Sequence, residues 1–340
     1  MTAMRAISIR RTGMVTSVGQ SAPAACAAIR AKVANPTETR FIDRAGDWIT
    51  GHAVELSRSV RGVEKLAWMG ALAAEECLRG TASPSEEVPL ILCVAEEGRP
   101  GRFAGLDDAL FSRIEQLLSS RFHRDSVVLA EGRNGLAVAL RRAHGLIESG
   151  VCATALILGV DSYLTAETIN ALLDEDRLLL PTNSNGFMPG EAAAAILVGS
   201  PHGRSSLQCV GIGFGIEPAP LGSGRPLRGI GMRQAVRAAV ADSGLKGDDL
   251  HFRVADVSGE QYYFKEASLC LAGLFRTPKE TFEFWHFAEA TGEVGAAAGP
   301  LAVGVLEAAH RKSYAPGRIS LCHFSDAGSK RSALVFRHED

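Results

Sequence analysis

The sequence predicts an α/β protein in which short buried strands alternate with amphipathic helices along nearly the whole chain. Short apolar or β-branched runs recur, and segments with helical periodicity separate them. The candidate strands cover residues 6–9, 90–94, 127–130, 155–159, 193–198, 254–257, 319–322 and 333–336. Because this alternation is typical of βαβ units, we expect a mainly parallel, buried sheet.

Helical spacing is clearest in two segments. Apolar residues recur at intervals of three and four over residues 136–147, and Gly150 follows as a stop. The same pattern covers residues 232–240, and Gly244 follows it. These glycines predict where the two helices end.

The two halves of the chain resemble each other weakly. The first of these helices leads to the candidate strand 155–159, and a helix beginning near Pro300 leads to the strand 319–322. We therefore expect a single domain over residues 1–340, built of two pseudo-repeated halves. The halves are predicted at about 1–200 and about 201–340.

Composition excludes several classes of function. The chain has 340 residues, of which 46% are hydrophobic and 22% charged, and its formal net charge is −2. Because acidic and basic residues nearly balance, we expect no binding to nucleic acid or to a membrane surface. No apolar run is long enough to span a bilayer, and residues 1–11 lack the apolar stretch of a signal peptide. We therefore expect a cytoplasmic protein.

The thiols and imidazoles are scattered. Seven cysteines include no C-x-x-C pair, and nine histidines include no closely spaced pair. Clustered ligands are needed for a metal site, so we expect no metal and no cofactor. The glycine-rich segment 211–215 does not match a G-x-G-x-x-G motif and does not open a helix, which argues against a phosphate cradle.

Four segments carry a more specific signal. The first is a strand that runs into a glycine-bounded turn at residues 5–19, and the last is the strand pair at residues 320–336. Between them lie Gly186-Phe-Met-Pro-Gly190-Glu-Ala-Ala-Ala-Ala and Gly292-Glu-Val-Gly-Ala-Ala-Ala-Gly299. In this order and spacing, the chain resembles the β-ketoacyl-acyl-carrier-protein synthases, which are condensing enzymes of the thiolase superfamily.

The resemblance implies a duplicated, five-layered α-β-α-β-α fold. It also implies a cysteine nucleophile on a strained strand-to-helix elbow, where a helix N-terminus lowers the thiol pKa. Two histidines would stabilise the enolate and the thioester oxyanion, a lysine would organise the second histidine, and a phenylalanine would gate the pocket.

None of these side chains stands at the position in this sequence that matches the family's motif. The elbow corresponds to residues 129–135, which contain no cysteine, serine or threonine. The positions that match the nucleophile, the first histidine, the second histidine, the lysine and the gate are Gly132 or Arg133, Ser258, Glu293, Ala288 and Asp326. The framework glycines remain, so we expect the fold to persist without the condensation chemistry.

The resulting functional hypothesis is a non-catalytic subunit partner, adaptor or scaffold. One precedent in the superfamily is the chain length factor, which lacks the nucleophile and pairs with an active synthase. Other relatives accompany secretion gene clusters as accessory proteins. The expected partners are a second copy, another synthase-like subunit, an acyl carrier protein or a secretion-cluster protein. We expect two subunits to pair through the strand at 127–130, since an apolar edge would otherwise stay open.

An enzyme with relocated chemistry is the alternative. Glu131, Glu260, Glu293 and Asp326 would offer carboxylates for hydrolysis or altered acyl transfer. Glu293 fits either a general base or a buried structural carboxylate, and Ser258 near Glu260 fits either a nucleophile with its base or a polar turn. At three of the matching positions, one cationic and two acidic residues replace the family's residues. This combination also predicts that Arg133 pairs with Glu293 or Asp326.

Overall fold

A computed structural model describes residues 5–81, 83–201 and 206–339. The predicted boundary between the halves adjoins residues 202–205, which lie outside the described residues. The strands are β1 (Ile7–Val15), β2 (Thr37–Ile42), β3 (Trp48–Gly51), β4 (Leu90–Cys93), β5 (Val127–Leu129), β6 (Thr154–Ser162), β7 (Glu191–Gly199), β8 (Ser206–Ile216), β9 (Phe252–Ala255), β10 (Phe284–Trp285), β11 (Ile319–Ser325) and β12 (Lys330–Glu339). The α-helices are α1 (Ala22–Arg30), α2 (Gly62–Leu78), α3 (Ala109–Leu118), α4 (Gly135–Glu148), α5 (Ala166–Asp174), α6 (Ile230–Asp242), α7 (Gln261–Leu269), α8 (Ala288–Thr291) and α9 (Ala298–Arg311).

Ten of these strands form one sheet with an internal symmetry. Its order is β10-β9-β11-β12-β8-β1-β7-β6-β4-β5, and β2 and β3 form a separate hairpin. Read outward from the centre, one half runs β1-β7-β6-β4-β5 and the other runs β8-β12-β11-β9-β10. Each half therefore has its strands in the same sequential order. The halves meet where β1 and β8 pair over two residues, Ile7 with Cys209 and Ser8 with Gln208.

The expectation of a mainly parallel sheet is wrong. The pairs β4–β5, β4–β6, β9–β10 and β9–β11 are parallel, whereas β1–β7, β1–β8, β6–β7, β8–β12 and β11–β12 are antiparallel. The apolar pattern led to the wrong strand direction because every residue of β7 is buried. A strand covered on both faces reads as a continuous apolar run, whichever direction its neighbours take.

Helices cover the sheet in layers. Residues of α4 and α9 share one apolar cluster with strands of both halves, so these two helices form the middle layer. Helices α2 and α3 pack on the outer face of the first half, and α6 packs on the outer face of the second. The layers thus alternate α-β-α-β-α, as the resemblance implied. None of the helices in the described part of the chain is long and apolar enough to cross a membrane.

The glycine-rich segment is strand β8, which the sequence pattern did not predict. Gly211, Gly213 and Gly215 face α6, and a Cβ atom added at any of them would collide with backbone carbonyls of that helix. The absence of side chains lets strand and helix approach closely. Strand–helix packing therefore accounts for these glycines.

Candidate functional site

The site is built at the entrance to α4. After β5 the chain turns through Gly132, whose φ is +49°, makes a 3-10 turn over Gly132–Asn134 and enters α4. The second half repeats the geometry. Gly295 has a φ of +51° and begins the 3-10 turn Gly295–Ala297, which leads into α9. Each half thus has one left-handed glycine at the corresponding helix entrance.

A carboxylate occupies the space beside each of these glycines. A Cβ atom added at Gly132 would collide with the carboxylate of Glu96, and one added at Gly295 would collide with that of Asp161. The backbone N–H of Ala296 donates to Asp161 Oδ2 at 2.9 Å. The elbow therefore has no room for a side chain in place of Gly132 unless Glu96 moves.

Arg133 is buried directly behind this elbow. Its Nη1 donates to Glu293 Oε2 at 3.2 Å, and its Nε lies 3.6 Å from Asp256 Oδ2. The guanidinium carbon lies 4.7 Å from the centroid of the Tyr263 ring. Burial lowers the pKa of Arg133, but the charges of Glu293 and Asp256 outweigh burial and hold this pKa well above its ordinary value. The elbow thus carries a buried cation that stays charged.

Glu293 connects the two helix entrances. Its Oε2 accepts hydrogen bonds from Arg133 and, at 2.9 Å, from Ser258 Oγ, while its Oε1 accepts from the backbone N–H of Gly295 at 3.0 Å. The side chains of Arg133 and Glu293 are only 5% and 4% exposed. A carboxylate with three internal donors has little capacity left for a substrate proton.

Asp256 is a site residue that the sequence reasoning missed. It follows β9, is buried beside Arg133, and accepts a hydrogen bond from the backbone N–H of Ser325 at 3.0 Å. Burial raises the pKa of its carboxyl to about 7, and the repulsion from Glu293 adds to this although Arg133 opposes it. The signal was available, since an aspartate stands within the apolar run 254–257.

A second buried ion pair lies beside the first. Arg99 Nη2 contacts both oxygens of Asp161, at 2.8 and 2.6 Å, and its guanidinium carbon lies 4.4 Å from the centroid of the Tyr163 ring. Neither Arg99 nor Asp161 was predicted as a site residue. Arg99 lies in a loop after β4 and Asp161 lies near the end of β6, so only the fold brings them together.

A cleft of about 590 Å³ opens above the elbow. Its lining includes Glu96, Glu97, Glu131, Asp326 and Lys330, and Arg133 forms part of its floor. The cleft is therefore open and charged at its mouth, with the ion pair of Arg133 and Glu293 beneath it.

Two of the four carboxylates that were predicted to share a pocket, Glu131 and Asp326, line this cleft, whereas Glu260 and Glu293 are not among its lining residues. Each of the four has its own cation. Glu131 pairs with Lys330 at 2.6 Å, Glu260 with Arg177 at 2.9 Å, Glu293 with Arg133, and Asp326 with Arg331 at 3.3 Å. Of the two partners predicted for Arg133, the structure thus selects Glu293.

One thiol lies close to the elbow. A Cβ atom added at Gly135 would lie 3.2 Å from Cys93 Sγ, although the two residues are far apart in sequence. Cys93 is completely buried beneath the start of α4, and burial raises the pKa of its thiol to about 12. A thiol in this state is a poor nucleophile. Among the described residues, no group of histidine, cysteine and acidic side chains has the arrangement of a metal site.

Comparison with known proteins relates the fold to one class of structures. No protein-family model matches the sequence, and no match is found among the curated proteins. The structure of the ketosynthase ApeO in complex with its chain length factor ApeC, from Xenorhabdus doucetiae, matches with a TM-score of 0.69 at 14% identity, covering 98% of both chains.

Two further structures also match. The complex of the ketosynthase AntDE with the type II polyketide acyl-carrier protein AntF gives a TM-score of 0.77 at 14% identity, over 98% of this chain and 99% of that one. The ketosynthase from module 6 of the bacillaene synthase of Bacillus subtilis gives 0.75 at 13% identity, over 98% and 72%. Identities this low relate folds and not activities. The chain therefore has the thiolase-like fold that ketosynthases and chain length factors share.

Proposed function

We propose that this chain is a non-catalytic ketosynthase-like subunit that acts as a partner or scaffold for another synthase-like chain. The observation that carries the proposal is the buried pair of Arg133 and Glu293 at the elbow. A condensing enzyme needs a thiolate there and free donors for the oxyanion. Here Gly132 brings no side chain to the elbow, and the guanidinium of the adjacent Arg133 is paired with an internal carboxylate.

The surroundings of the elbow support the same conclusion. Gly132 has the left-handed conformation of a strained elbow but carries no nucleophile, and Glu96 fills the space beside it. Ser258 donates its hydroxyl hydrogen to Glu293 and thus serves as a structural donor. The nearest thiol, Cys93, is buried and protonated. Every group that stands at a catalytic position of the family is absent or engaged within the protein.

Similar structures suggest what the chain binds. The match that includes a chain length factor comes from a complex with a ketosynthase, and another comes from a complex with an acyl-carrier protein. In this chain, β5 is an edge strand of the sheet. We propose that β5 pairs with the corresponding strand of a second subunit, either a copy of this chain or an active synthase.

A carboxylate enzyme is the second candidate, and the open cleft of about 590 Å³ favours it. Its catalytic base would be Glu97, because the other carboxylates of the cleft, Glu96, Glu131, Glu175 and Asp326, each pair with a cation at 3.7 Å or less. Glu97 makes no ion pair within the described ranges, and Glu96 lies 3.7 Å from Arg99 Nε. Both line the cleft, but within the described ranges no hydroxyl or thiol is hydrogen-bonded to either carboxylate, so the enzyme has less support.

Intact-protein mass spectrometry tests the choice. The chain is incubated with acyl- and malonyl-thioesters of an acyl carrier protein, and an active ketosynthase serves as the positive control. We expect the active enzyme to gain an acyl group and this chain to keep its mass. A stoichiometric adduct on any residue would overturn the proposal, and hydrolysis of the thioester by this chain, lost in a Glu97→Gln variant, would establish the second candidate.

A further inference from the structure

A second cavity lies at the β10 edge of the sheet, whereas the elbow follows β5 at the other edge. It has a volume of about 590 Å³ and runs along β10, between the end of α1 and the segment that follows α9. It shares no lining residue with the elbow cleft. We call it the β10 groove and define it by Arg30, Lys32, Phe284, Trp285, Phe287 and Tyr314. Its volume lies within the range of small-molecule sites.

Aromatic side chains are concentrated in this groove. They make up only 6% of the chain, yet Phe284, Trp285, Phe287 and Tyr314 all line it and all are half-buried. The Trp285 and Tyr314 rings are inclined at 29° with centroids 6.3 Å apart, and the Phe252 ring lies 5.0 Å from Trp285. These ring contacts hold Trp285 and Tyr314 in place at the groove. Fixed aromatic surfaces of this kind are suited to packing against a planar ring.

The wall opposite β10 is cationic. Arg30 ends α1, and its guanidinium carbon lies 4.1 Å from the centroid of the Tyr314 ring. Lys32 stands in a turn that is closed by hydrogen bonds from its N–H to Ile29 and from the N–H of Val33 to Ala28, at 3.0 and 2.9 Å. Within the described ranges, neither Arg30 nor Lys32 has a carboxylate at ion-pair distance. These two charges are free to meet an anionic ligand.

Acidic residues lie at the other end of the groove. Glu283 accepts a hydrogen bond from the indole N–H of Trp285 at 3.0 Å, and Glu289 lies near His286. An anionic group at this end would meet like charges. The charge pattern therefore admits one anionic group, and it directs that group toward Arg30 and Lys32.

We propose that the β10 groove binds a planar aromatic molecule that carries a single anionic group. The ring packs against Trp285 and Tyr314, and the anionic group reaches Arg30 and Lys32. This inference does not depend on the elbow being inactive, because the groove and the elbow have separate linings.

Binding of 2-naphthoate tests the proposal, with 2-naphthylmethanol and 2-naphthylmethylammonium as neutral and cationic analogues. Saturation-transfer NMR and fluorescence titration measure the dissociation constants. We expect 2-naphthoate to bind about fivefold or more tightly than the alcohol, and the ammonium compound to bind most weakly. Lack of saturable 2-naphthoate binding up to roughly 10 mM would overturn the proposal, because that limit corresponds to almost no binding energy. Equal affinities for the three compounds would also overturn it.

Variants of groove residues test whether 2-naphthoate binds in the β10 groove. Arg30→Gln changes an exposed side chain, so it should fold normally and abolish the preference for 2-naphthoate over the alcohol. Trp285→Leu should weaken all three compounds, and its melting temperature shows whether it folds. The matched control is Arg58→Gln, because Arg58 stacks on Trp68 at 4.4 Å elsewhere on the protein. A double variant Arg30→Gln/Lys32→Gln that binds 2-naphthoate as well as the wild type would rule out the proposed site.

Discussion

Arg133 and Glu293 lie 160 residues apart in the chain and form a buried ion pair, with Nη1 and Oε2 separated by 3.2 Å. Arg133 belongs to the entrance of α4 and Glu293 lies two residues before the entrance of α9. The pair therefore joins the two pseudo-equivalent helix entrances across the middle layer. Such a pair specifies the site geometry more than it adds net stability, since both charges had to be desolvated.

Removing one partner of the pair should reveal the cost of burying the other charge without it. We expect Arg133→Ala to lower the free energy of unfolding by ~3–5 kcal/mol, because Glu293 is left as an uncompensated buried charge. Glu293→Gln should also destabilise the protein, since it leaves Arg133 with Asp256 as its remaining carboxylate. The double variant should cost less than the sum, because it removes both charges of the pair together. Urea denaturation of the four proteins measures this coupling.

The chain offers a matched control for this cycle. Lys330 and Glu131 form an ion pair at the mouth of the same cleft, with side chains 57% and 28% exposed. Lys330→Ala should cost less than about 1 kcal/mol, as for other exposed pairs. If Arg133→Ala also cost less than about 0.5 kcal/mol, it would behave as a surface position, which would contradict the buried ion pair and favour the carboxylate enzyme.

The pKa of Asp256 predicts a pH dependence of stability. Its folded-state pKa, about 7, exceeds the ordinary value for an aspartate. Between about pH 4 and pH 7, the folded protein therefore binds a proton that the unfolded chain does not. The contribution of this group to stability falls as the pH rises through that window. We expect Asp256→Asn to be more stable relative to the wild type at pH 8 than at pH 5, by a few kcal/mol.

Comparing the wild type with Asp256→Asn separates the effect of Asp256 from the effects of other groups that titrate in the same pH range. Burial lowers the pKa of His52 and His310 to about 4 each, and these groups destabilise the fold as the pH falls. Their effect cancels in the difference between the wild type and Asp256→Asn. Asp174→Asn is the control, because Asp174 pairs with Arg44 on the surface. A difference between wild type and Asp256→Asn that does not change with pH would contradict the assignment.

The sequence predicted the fold because the motif order is a property of the whole chain. Helices α4 and α6 and eight of the strands fall where periodicity places them. Strand direction could not be predicted, because burial on both faces hides it. Strand β8 was missed, because its three glycines serve close packing against α6 and carry none of the usual strand signal.

The sequence predicted only those site residues that stand at positions of a recognised motif. Arg133 and Glu293 were found because each replaces a residue at a recognised position. Asp256, Arg99 and Asp161 were missed, since they come from separate strand ends and loops that only the folded sheet brings together. The ion pair of Asp326 was also not predicted. Its partner is Arg331, which follows Asp326 after the turn between β11 and β12.

Restoring a thiol at the elbow should be costly. Gly132 has a left-handed φ, and a Cβ atom there collides with Glu96. We expect Gly132→Cys to lower the free energy of unfolding by at least about 2 kcal/mol, from backbone strain and crowding together. The companion change Glu96→Ala should recover the crowding part but not the strain. Thermal denaturation with both variants separates the two causes.

Gly145 is the matched control for that experiment. It lies within α4, and a Cβ atom added there meets no other atom within 4 Å. Gly145→Ala should therefore stabilise the protein by up to about 1 kcal/mol. If Gly132→Cys were as stable as the wild type, the elbow would have room for a nucleophile, and Glu96 would have to be mobile.

The edge strand β5 yields the last prediction, a dimer in solution. The carbonyl of Leu129 accepts a hydrogen bond from Val94, so the backbone of Leu129 faces β4. Because adjacent residues of a strand face opposite sides, the N–H and carbonyl of Val128 face outward. An open apolar edge of this kind tends to pair with another strand, and a two-fold axis brings it against its own copy. We expect light scattering at micromolar concentration to report a dimer.

Val128→Pro tests this edge without disturbing the ladder to β4. It removes an outward-facing N–H, while Val127 and Leu129 keep the hydrogen bonds that hold β5 to its neighbour. A symmetric dimer loses two hydrogen bonds of about 1 kcal/mol each, so the dimer dissociation constant should rise roughly 30-fold. Val128→Ala keeps the N–H and should stay dimeric. If the wild type is a monomer, or if Val128→Pro dimerises as tightly as Val128→Ala, this edge does not join two copies of the chain. Mixing with an active ketosynthase would then decide whether β5 pairs with a different subunit.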